Sequence, residues 1–529
     1  MHVLQTSRMR KVISFESAKF TMAVLIPFIL LLIVRVTGFK AENSVDAYYH
    51  IAVSDFGPSY YMSKKIPQLT LSVWSDNFSD KELGYHLILS SLRRLELRMG
   101  ISTSPPFNSE ALFFAFLVIL TFVISHRAMG MCDTLSYSIA LVILSPYFTN
   151  RLLMLRPHNL SIVMMIAACA IFHLANHKKL ISKLIAFIIG FIGAWCYSNP
   201  HFLLLPAMAF AFAEWIKTNE KATILLPIAV FAGIILGYTL HPQFPNTFTN
   251  WKIQCVDVVW QAIAGTKTVA LGTEFNKPGP FWFLKNVMPF IAFVCDVWLF
   301  VKLFKMRIRD NQLENLRKIH PTTIAMFAMA TVAIIVTPLG PRAMEYAYPF
   351  ILLSIGANIA EYSRSKQDIP YPFNGPRFVL NLKILLLVTA VAFIVFQREG
   401  YSRRKGMKPI SNFATFMKTS GIPPNTVIAN LIWSDYPFLL YSCPEYKYIS
   451  GLDPMFSYSF APERIKKLEL FRRGEIKLSQ KELRTLTGAN YIFLRKIYKK
   501  YAKNIKKMKL PLLYDGPDGW LFTIPDQHK

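Results

Sequence analysis

Residues 222–251 read ATILLPIAVFAGIILGYTLHPQFPNTFTNW and contain no Asp, Glu, Lys or Arg. A helix that crosses the hydrocarbon core of a bilayer needs about 20 mostly apolar residues, and this stretch provides them. Residues 157–177, 184–213 and 322–341 are equally free of these four residue types. Because lipid offers the backbone no hydrogen-bond partners, such segments must be helical. The sequence therefore predicts a polytopic α-helical membrane protein.

The composition supports the same class of protein. Of the 529 residues, 53% are hydrophobic and only 17% are charged, whereas a typical soluble domain has about 25% charged residues. The net charge is +28, but much of the excess Lys and Arg lies in short clusters between apolar segments, where it sets membrane orientation. This distribution argues against a nucleic-acid partner. The six cysteines form no Cys-x-x-Cys pair, which indicates neither a disulfide framework nor a zinc site.

About eleven transmembrane helices are expected. If the basic amino terminus is cytoplasmic and the spans alternate, the short inner loops are the basic ones, as the positive-inside tendency requires. The chain then divides into a transmembrane domain, residues 1–397, with a large first outer loop at about 38–110, and a small extracytoplasmic α/β domain, residues 398–529. The predicted spans lie near residues 20–36, 111–125, 134–147, 159–175, 181–197, 202–216, 222–240, 281–304, 322–338, 347–361 and 378–396.

The first outer loop begins with Asp46-Ala-Tyr-Tyr-His50 and continues to Asp80-Lys-Glu-Leu-Gly-Tyr-His86. A carboxylate at the membrane surface, next to aromatic side chains and a histidine, suits a general base or an acceptor-binding group. A structural interpretation stays open beside this one. Asp46 would then cap a helix, while Tyr48 and Tyr49 would belong to an interfacial aromatic belt.

The Asp-x-Tyr-Tyr-His sequence resembles the first-loop motif of the oligosaccharyltransferase catalytic subunit family. This family belongs to the GT-C membrane glycosyltransferases, which use polyprenyl-linked sugar donors. The segment from Asp80 to His86 resembles one in bacterial relatives of this superfamily. The resemblance implies a GT-C-like transmembrane region and catalysis by Asp46 on the outer face. It also implies that Tyr49, His50, Asp80 and His86 contact the acceptor or the sugar.

Later outer loops carry further matches to the same family. Gly272-Thr-Glu274 resembles the family's flexible outer loop, which implies a second catalytic carboxylate at Glu274. Pro341-Arg342-Ala-Met-Glu345 lies where a family arginine contacts the donor phosphate, and guanidinium binds phosphate bidentately. Trp433-Ser-Asp435-Tyr-Pro437 resembles the Trp-Trp-Asp-Tyr-Gly motif that recognises the acceptor sequon. The resemblance thus adds Glu345, Trp433 and Asp435 as sugar- or acceptor-binding candidates.

The second outer loop departs from the family. Where the family has an Asp-x-Asp or Asp-x-Glu metal-binding pattern, this chain has Arg156-Pro-His158. Mg²⁺ prefers carboxylate oxygens, so a divalent metal would have only Asp46, His158 and Glu274 as candidate ligands. The alternative that we expect is a metal-free enzyme in which Arg156 and Arg342 neutralise the leaving phosphate. His158 is then a sugar- or acceptor-binding candidate.

The departure from the sequon motif leaves the acceptor open among a glycan, a lipid and a protein. Two other functions compete with the transferase, namely a lipid-linked oligosaccharide flippase or exporter and a surface-polysaccharide polymerase or ligase. Transporters often show two halves with matching interrupted helices, and no such internal symmetry is found here. The expected location is a bacterial plasma (inner) membrane, with membrane lipids and the lipid-linked donor as partners. Asp296, inside the eighth apolar segment, is expected to pair with Lys302 or to reach the cytoplasmic surface.

Overall fold

The computed structural model describes residues 2–101, 103–176, 178–264, 269–272, 276–306, 316–365, 376–403 and 406–525. It divides into two compact units, each built from three segments of the chain. The first unit contains residues 1–40, 106–237 and 274–405, and the second contains residues 41–105, 238–273 and 406–529. The second unit thus groups the first outer loop with the carboxyl-terminal residues. The boundary predicted near residue 398, where the chain is expected to leave the membrane region, stays a prediction.

The first unit is helical, and every predicted span coincides with one or more of its helices. Its helices are His2–Gly38, Asn108–Ala128, Thr134–Ile143, Pro146–Leu152, His158–Leu174, Leu180–Cys196, Leu204–Thr218, Leu225–Thr239, Pro280–Lys285, Val287–Met306, Pro321–Val336, Met344–Arg364 and Pro376–Ser402.

Among the described residues, six helical stretches are long and apolar enough to cross a membrane: Glu16–Gly38, Asn108–Ala128, Lys221–Thr239, Val287–Lys305, Pro321–Leu339 and Lys383–Ser402. Three shorter apolar helices are Thr134–Ile143, His158–Leu174 and Leu180–Cys196. These helices are those of an integral membrane protein, as the composition predicted. The count of eleven spans and the cytoplasmic amino terminus stay predictions.

Arg35, near the end of the first helix, is fully buried. Its guanidinium donates to the carbonyl oxygens of Leu153, at 2.8 Å, and Pro106, at 2.5 Å, while its Nε donates to the Asn108 side chain at 2.9 Å. Buried charges persist only where hydrogen bonds replace water. This arginine therefore fixes the first helix to the segments that precede two other helices.

Two glycines allow helices Leu180–Cys196 and Leu225–Thr239 to approach closely. A methyl group on Gly190 would overlap the carbonyl oxygen of Val230, and one on Gly233 would overlap that of Phe187. Small residues at such crossings let membrane helices gain van der Waals contact between their backbones.

The second unit combines short helices with one mixed sheet. Its strands are β1 Val427–Asn430, β2 Lys447–Tyr448, β3 Tyr491–Arg495, β4 Leu512–Asp515 and β5 Gly519–Thr523. The strand order is β2-β1-β3-β5-β4, in which β1 is parallel to β2 and β3, and β5 is antiparallel to β3 and β4. The sheet confirms the α/β prediction for the carboxyl-terminal region.

In the sequence, the helices of the second unit precede the strands of this sheet or lie between them. They are Val45–Phe56, Pro58–Met62, Leu83–Arg98, Asn246–Trp251, the π-helical turn Lys252–Asp257, Val258–Ala264, Ser411–Thr419, Tyr436–Ser442, Pro454–Phe460, Pro462–Arg473, Gln480–Thr487 and Lys499–Lys506. Helix Gln480–Thr487 begins with a capping box of Ser479 and Glu482, which their Ser-x-x-Glu spacing in the sequence predicts.

We expect Gly190→Ala and Gly233→Ala each to lower the unfolding free energy by roughly 1–3 kcal/mol, because the two backbones must separate to admit a methyl group. Thermal unfolding of the purified protein in detergent measures this loss. Gly400→Ala is the matched control, because nothing lies within 4 Å of its added methyl and a helix favours Ala over Gly. Equal melting of Gly190→Ala and Gly400→Ala would contradict the proposed close packing.

Candidate functional site

Arg151 and Glu345 form a buried ion pair in the first unit, with 2.5 Å between Nε and Oε1. Arg151 lies in the last turn of helix Pro146–Leu152, whose first turn is capped by the Ser145 hydroxyl. The two side chains are 6% and 0% exposed. Removing either partner would leave a buried charge without compensation, which is strongly destabilising. The pair therefore holds the Arg151 guanidinium in a fixed place.

Three guanidinium groups surround His158, the first residue of helix His158–Leu174. The imidazole Nε2–H donates to the carbonyl oxygen of Arg151 at 2.9 Å, which leaves the lone pair on Nδ1. Arg151, Arg156 and Arg342 all interact electrostatically with this ring. Glu345 Oε1 lies 4.0 Å from Arg342 Nε. We call these three arginines and His158 the arginine cluster. Its positive charges exceed the negative charge of Glu345.

A divalent metal does not fit at His158. The three neighbouring guanidiniums repel cations, and among the residues that the structure describes no group of three or more His, Cys, Asp or Glu side chains is arranged to hold a metal ion. Glu274, another predicted ligand, lies outside the described residues. We therefore derive no reaction step through a metal.

The arginine cluster has the chemistry of a phosphate site. Arg342 is 27% exposed, so that its guanidinium is accessible, and a guanidinium matches two phosphate oxygens at once. Arg156 and Arg342 were both predicted from sequence as phosphate-binding residues, and the structure places both near the imidazole of His158. Arg151 was missed, although it lies five residues before Arg156 in the same predicted outer loop. The roles of these residues in donor binding stay predictions.

In the second unit, Asp80, His86 and His50 form a buried hydrogen-bonded chain. The Asp80 carboxylate lies 2.7 Å from His86 Nδ1, and His86 Nε2 lies 2.9 Å from His50 Nδ1. The three residues are 2%, 0% and 3% exposed, respectively. Because an ionised carboxylate only accepts, His86 Nδ1 carries a proton. A neutral His86 then accepts from His50 Nδ1–H, which leaves the lone pair of His50 on Nε2.

Residues around 241–243 support this chain. The Asp80 backbone N–H donates to Gln243 Oε1 at 2.5 Å, and the Gln243 backbone N–H donates to His241 Nδ1 at 3.2 Å. Burial lowers the pKa of His241 to about 4, against the opposing effect of Asp80, so the ring is neutral at pH 7. No local sequence pattern marks the partners of His241.

The first-loop motif lies on helix Val45–Phe56. Asp46 is half-buried in the first turn of this helix, where a carboxylate interacts favourably with the positive end of the helix dipole. The Tyr48 hydroxyl donates to the carbonyl of Met407 at 2.6 Å. The buried Tyr49 ring stacks on Trp74 with 6.2 Å between ring centroids. The direct contact of Tyr49, and of the buried Asp80–His86–His50 chain, with a sugar stays a prediction.

The sequon-like motif forms a 3-10 turn, Trp433–Asp435, that follows strand β1. The Trp433 indole N–H donates to the carbonyl of Ala270 at 3.0 Å. Asp435 is fully buried, and burial raises its pKa to about 7 although Arg495 favours the ionised form. The acceptor-binding roles of Trp433 and Asp435 stay predictions.

Among solved structures, the chain is similar to the oligosaccharyltransferase of Archaeoglobus fulgidus, solved with a tethered acceptor peptide that contains an Asn-Val-Thr sequon. The TM-score is 0.63 at 10% sequence identity, and the match covers 96% of this chain and 74% of the other. The chain has an oligosaccharyltransferase-like fold. No protein-family model and no curated protein sequence matches it. The similarity confirms the predicted fold, and at this identity it shows the fold alone.

We expect Asp80→Ala and His86→Ala to be strongly coupled. Each single change should lower the unfolding free energy by about 3–5 kcal/mol, because it leaves a buried charged or polar partner unpaired. The double variant should lose less than the sum of the two, by roughly 0.5–3 kcal/mol, in a double-mutant cycle measured by unfolding in detergent. The exposed pair Lys65 and Asp76, with 3.7 Å between Nζ and Oδ1, is the control and should show almost no coupling. Additive losses at Asp80 and His86 would contradict the chain.

The raised pKa of Asp435 predicts a pH dependence of stability. Between the ordinary carboxyl pKa and about 7, the folded protein retains a proton that the unfolded chain has lost. Stability should therefore fall as the pH rises through this range. Asp435→Asn should remove this part of the pH dependence in thermal unfolding followed from about pH 4 to pH 8. An unchanged slope in Asp435→Asn would show that the carboxyl group is already ionised.

Proposed function

We propose that this protein is a GT-C glycosyltransferase that transfers a sugar from a polyprenyl-phosphate-linked donor to an acceptor on the outer face of the membrane. The observation that carries the proposal is the arginine cluster, a positively charged group within an oligosaccharyltransferase-like fold. The family resemblance assigns the donor phosphate to Arg342. The excess positive charge supports an anionic ligand at this place.

In the proposed reaction, the bond between the anomeric carbon and the phosphate oxygen breaks, and a bond to the acceptor oxygen forms. Negative charge develops on the leaving phosphate. Arg342 and Arg156 stabilise this charge, while Arg151 is held beside them by Glu345. A single well-placed donor to a developing negative charge lowers a barrier by about 3–4 kcal/mol. Guanidinium groups thus take the part that a divalent metal plays in other phosphate chemistry.

Asp46 is proposed to orient the incoming hydroxyl group and to accept its proton, with Glu274 as the second candidate. The half-burial of Asp46 leaves its carboxyl group accessible to an acceptor hydroxyl, which supports this role. Trp433 and Asp435 are proposed to contact the acceptor. The acceptor is proposed to be a glycan, a lipid or a protein.

The proposed location is a bacterial plasma membrane, with a cytoplasmic amino terminus and an extracytoplasmic carboxyl-terminal region. The basic inner loops of the predicted topology support this orientation. The donor reaches the protein through the lipid phase, so membrane lipids are its immediate surroundings.

We expect cells that lack the gene to accumulate a lipid-linked sugar, because its consumption stops. Mass spectrometry of extracted polyprenyl-linked sugars measures the pool. The wild-type gene should clear the pool, whereas Asp46→Asn and Arg342→Gln should leave it at least about tenfold higher, the rate equivalent of 1.4 kcal/mol of barrier. Asp76→Asn and Arg403→Gln are matched controls, because they alter exposed side chains and should restore clearance.

The same experiment separates the rival functions. Full clearance by Asp46→Asn would remove its catalytic role and favour a flippase or exporter. An acceptor that carries a long glycan in the wild type and disappears in both variants would favour a polymerase or ligase over a transferase to a small acceptor. An unchanged lipid-linked pool in cells without the gene would overturn the proposed donor.

A further inference from the structure

Asp296 is a fully buried carboxylate on helix Val287–Met306 of the first unit. It was expected to pair with Lys302 or to reach the membrane surface, and this expectation is wrong. Its side chain is 0% exposed, and the Lys302 ammonium lies 5.8 Å from the centroid of the Trp298 ring. Among the described residues, no Lys, Arg or His nitrogen lies within ion-pair distance of the carboxylate. A buried ionisable group inside an apolar helix indicates a functional site.

The neighbours of Asp296 come from helix Met344–Arg364. The Asn358 side-chain N–H donates to Asp296 Oδ1 at 2.7 Å. Ser354, one helical turn earlier, lies beside the same carboxylate. Residues four apart share one helix face, so both side chains face the carboxylate together. Asn358 and Ser354 are also fully buried.

Hydrogen bonding at this carboxylate is incomplete. Asn358 Oδ1 has no hydrogen-bond partner, and the Ser354 hydroxyl contacts the Asp296 carboxylate without a well-aligned hydrogen bond to Oδ2. Buried polar atoms in native proteins are paired in the large majority of cases, and each exception requires an explanation. A carboxylate, an amide carbonyl and a hydroxyl oxygen all bind cations. Three such oxygens at one buried carboxylate therefore indicate a ligand.

The remaining titratable groups near Asp296 do not supply a positive charge. Tyr137, from helix Thr134–Ile143, interacts electrostatically with the carboxylate, as does the neighbouring Cys295. His126 stacks on Tyr137 with 4.6 Å between ring centroids, and its Nδ1 lies 3.1 Å from the Thr134 hydroxyl. All of these groups are neutral or acidic in their ordinary forms except His126, whose Nε2 lies against Gly356 of helix Met344–Arg364.

We propose that Asp296, Asn358 and Ser354 form a binding site for a monovalent cation, a proton or Na⁺, within the helices of the first unit. The charge of the site selects the ligand, because one monovalent cation neutralises one carboxylate. Ca²⁺ needs about 6–8 oxygen ligands and Mg²⁺ a near-ideal octahedron, and both would leave excess charge in an apolar place. Filling the site completes the polar contacts between helices Val287–Met306 and Met344–Arg364.

The site shares a helix with Glu345, which pairs with Arg151 of the arginine cluster. Helix Met344–Arg364 begins next to Glu345, the partner of Arg151, and continues to Ser354 nine residues later. At 1.5 Å per residue the separation along the axis is about 13 Å. Cation binding therefore stabilises the helix that carries Glu345, and the site does not depend on the proposed transferase activity.

The test compares thermal unfolding of the full-length wild type and Asp296→Asn in detergent, from about pH 5 to pH 9, with NaCl or KCl at equal ionic strength. If a proton fills the site, the wild-type midpoint falls with rising pH relative to the variant, because the folded protein holds the extra proton. If Na⁺ fills it, NaCl raises the wild-type midpoint above its value in KCl, and the variant shows no such difference. Asp435 titrates in both proteins, so its effect cancels in the comparison.

A constant difference between wild type and Asp296→Asn at every pH and in both salts overturns the proposal. If the variant does not fold, the wild type alone is treated with dicyclohexylcarbodiimide, which modifies protonated carboxyl groups in apolar surroundings. Mass spectrometry should then find modification at Asp296 that falls about tenfold per pH unit once the site has mostly lost its proton, or that Na⁺ suppresses. Modification that responds to neither, or none at any pH, refutes the site. The exposed Asp133 is the internal control and should remain unmodified.

Discussion

A guanidinium group removed from water must have its charge and its hydrogen bonds satisfied by protein atoms, and Arg35 imposes this requirement on the first unit. Two backbone carbonyls and one amide side chain meet it. Because one of these carbonyls belongs to Leu153, Arg35 anchors the segment that carries Arg151 and Arg156 to the first helix. The arginine cluster therefore depends on a contact made by a residue outside it. Loss of this contact would release the loop without touching any residue that faces a ligand.

Much of the helical architecture was predictable because the membrane permits so few solutions. An apolar stretch of sufficient length must close its own backbone hydrogen bonds, so each of the eleven predicted segments lies on a helix. Local signals also predicted parts of the carboxyl-terminal region. Ser479 and Glu482 form the expected capping box, and the apolar stretch that follows residue 490 is the buried strand β3. These features need only neighbours within a few residues.

The side-chain partnerships were predictable only in part, because they join distant segments. Nothing near Asp80 in the sequence shows that His86 also bonds His50 from an earlier helix. Arg151 belongs to no sequence motif, and its fixed position depends on the ion pair with Glu345, 194 residues later. The pairing expected for Asp296 was wrong because Lys302 had seemed the nearest cation in sequence. In the fold, the carboxylate faces Asn358 of another helix.

The second unit is composed of three segments that are far apart in the chain, and this has a consequence for biosynthesis. Leu69 bridges Tyr448 of strand β2, and Glu42 bridges Met407. At about 5–20 residues per second, ribosomes need on the order of tens of seconds to make the chain between such partners. During this interval residues 41–105 have already been made, yet the strand that completes their unit does not exist. These residues must therefore remain in an unfinished state, where they are exposed to proteases and open to chaperones.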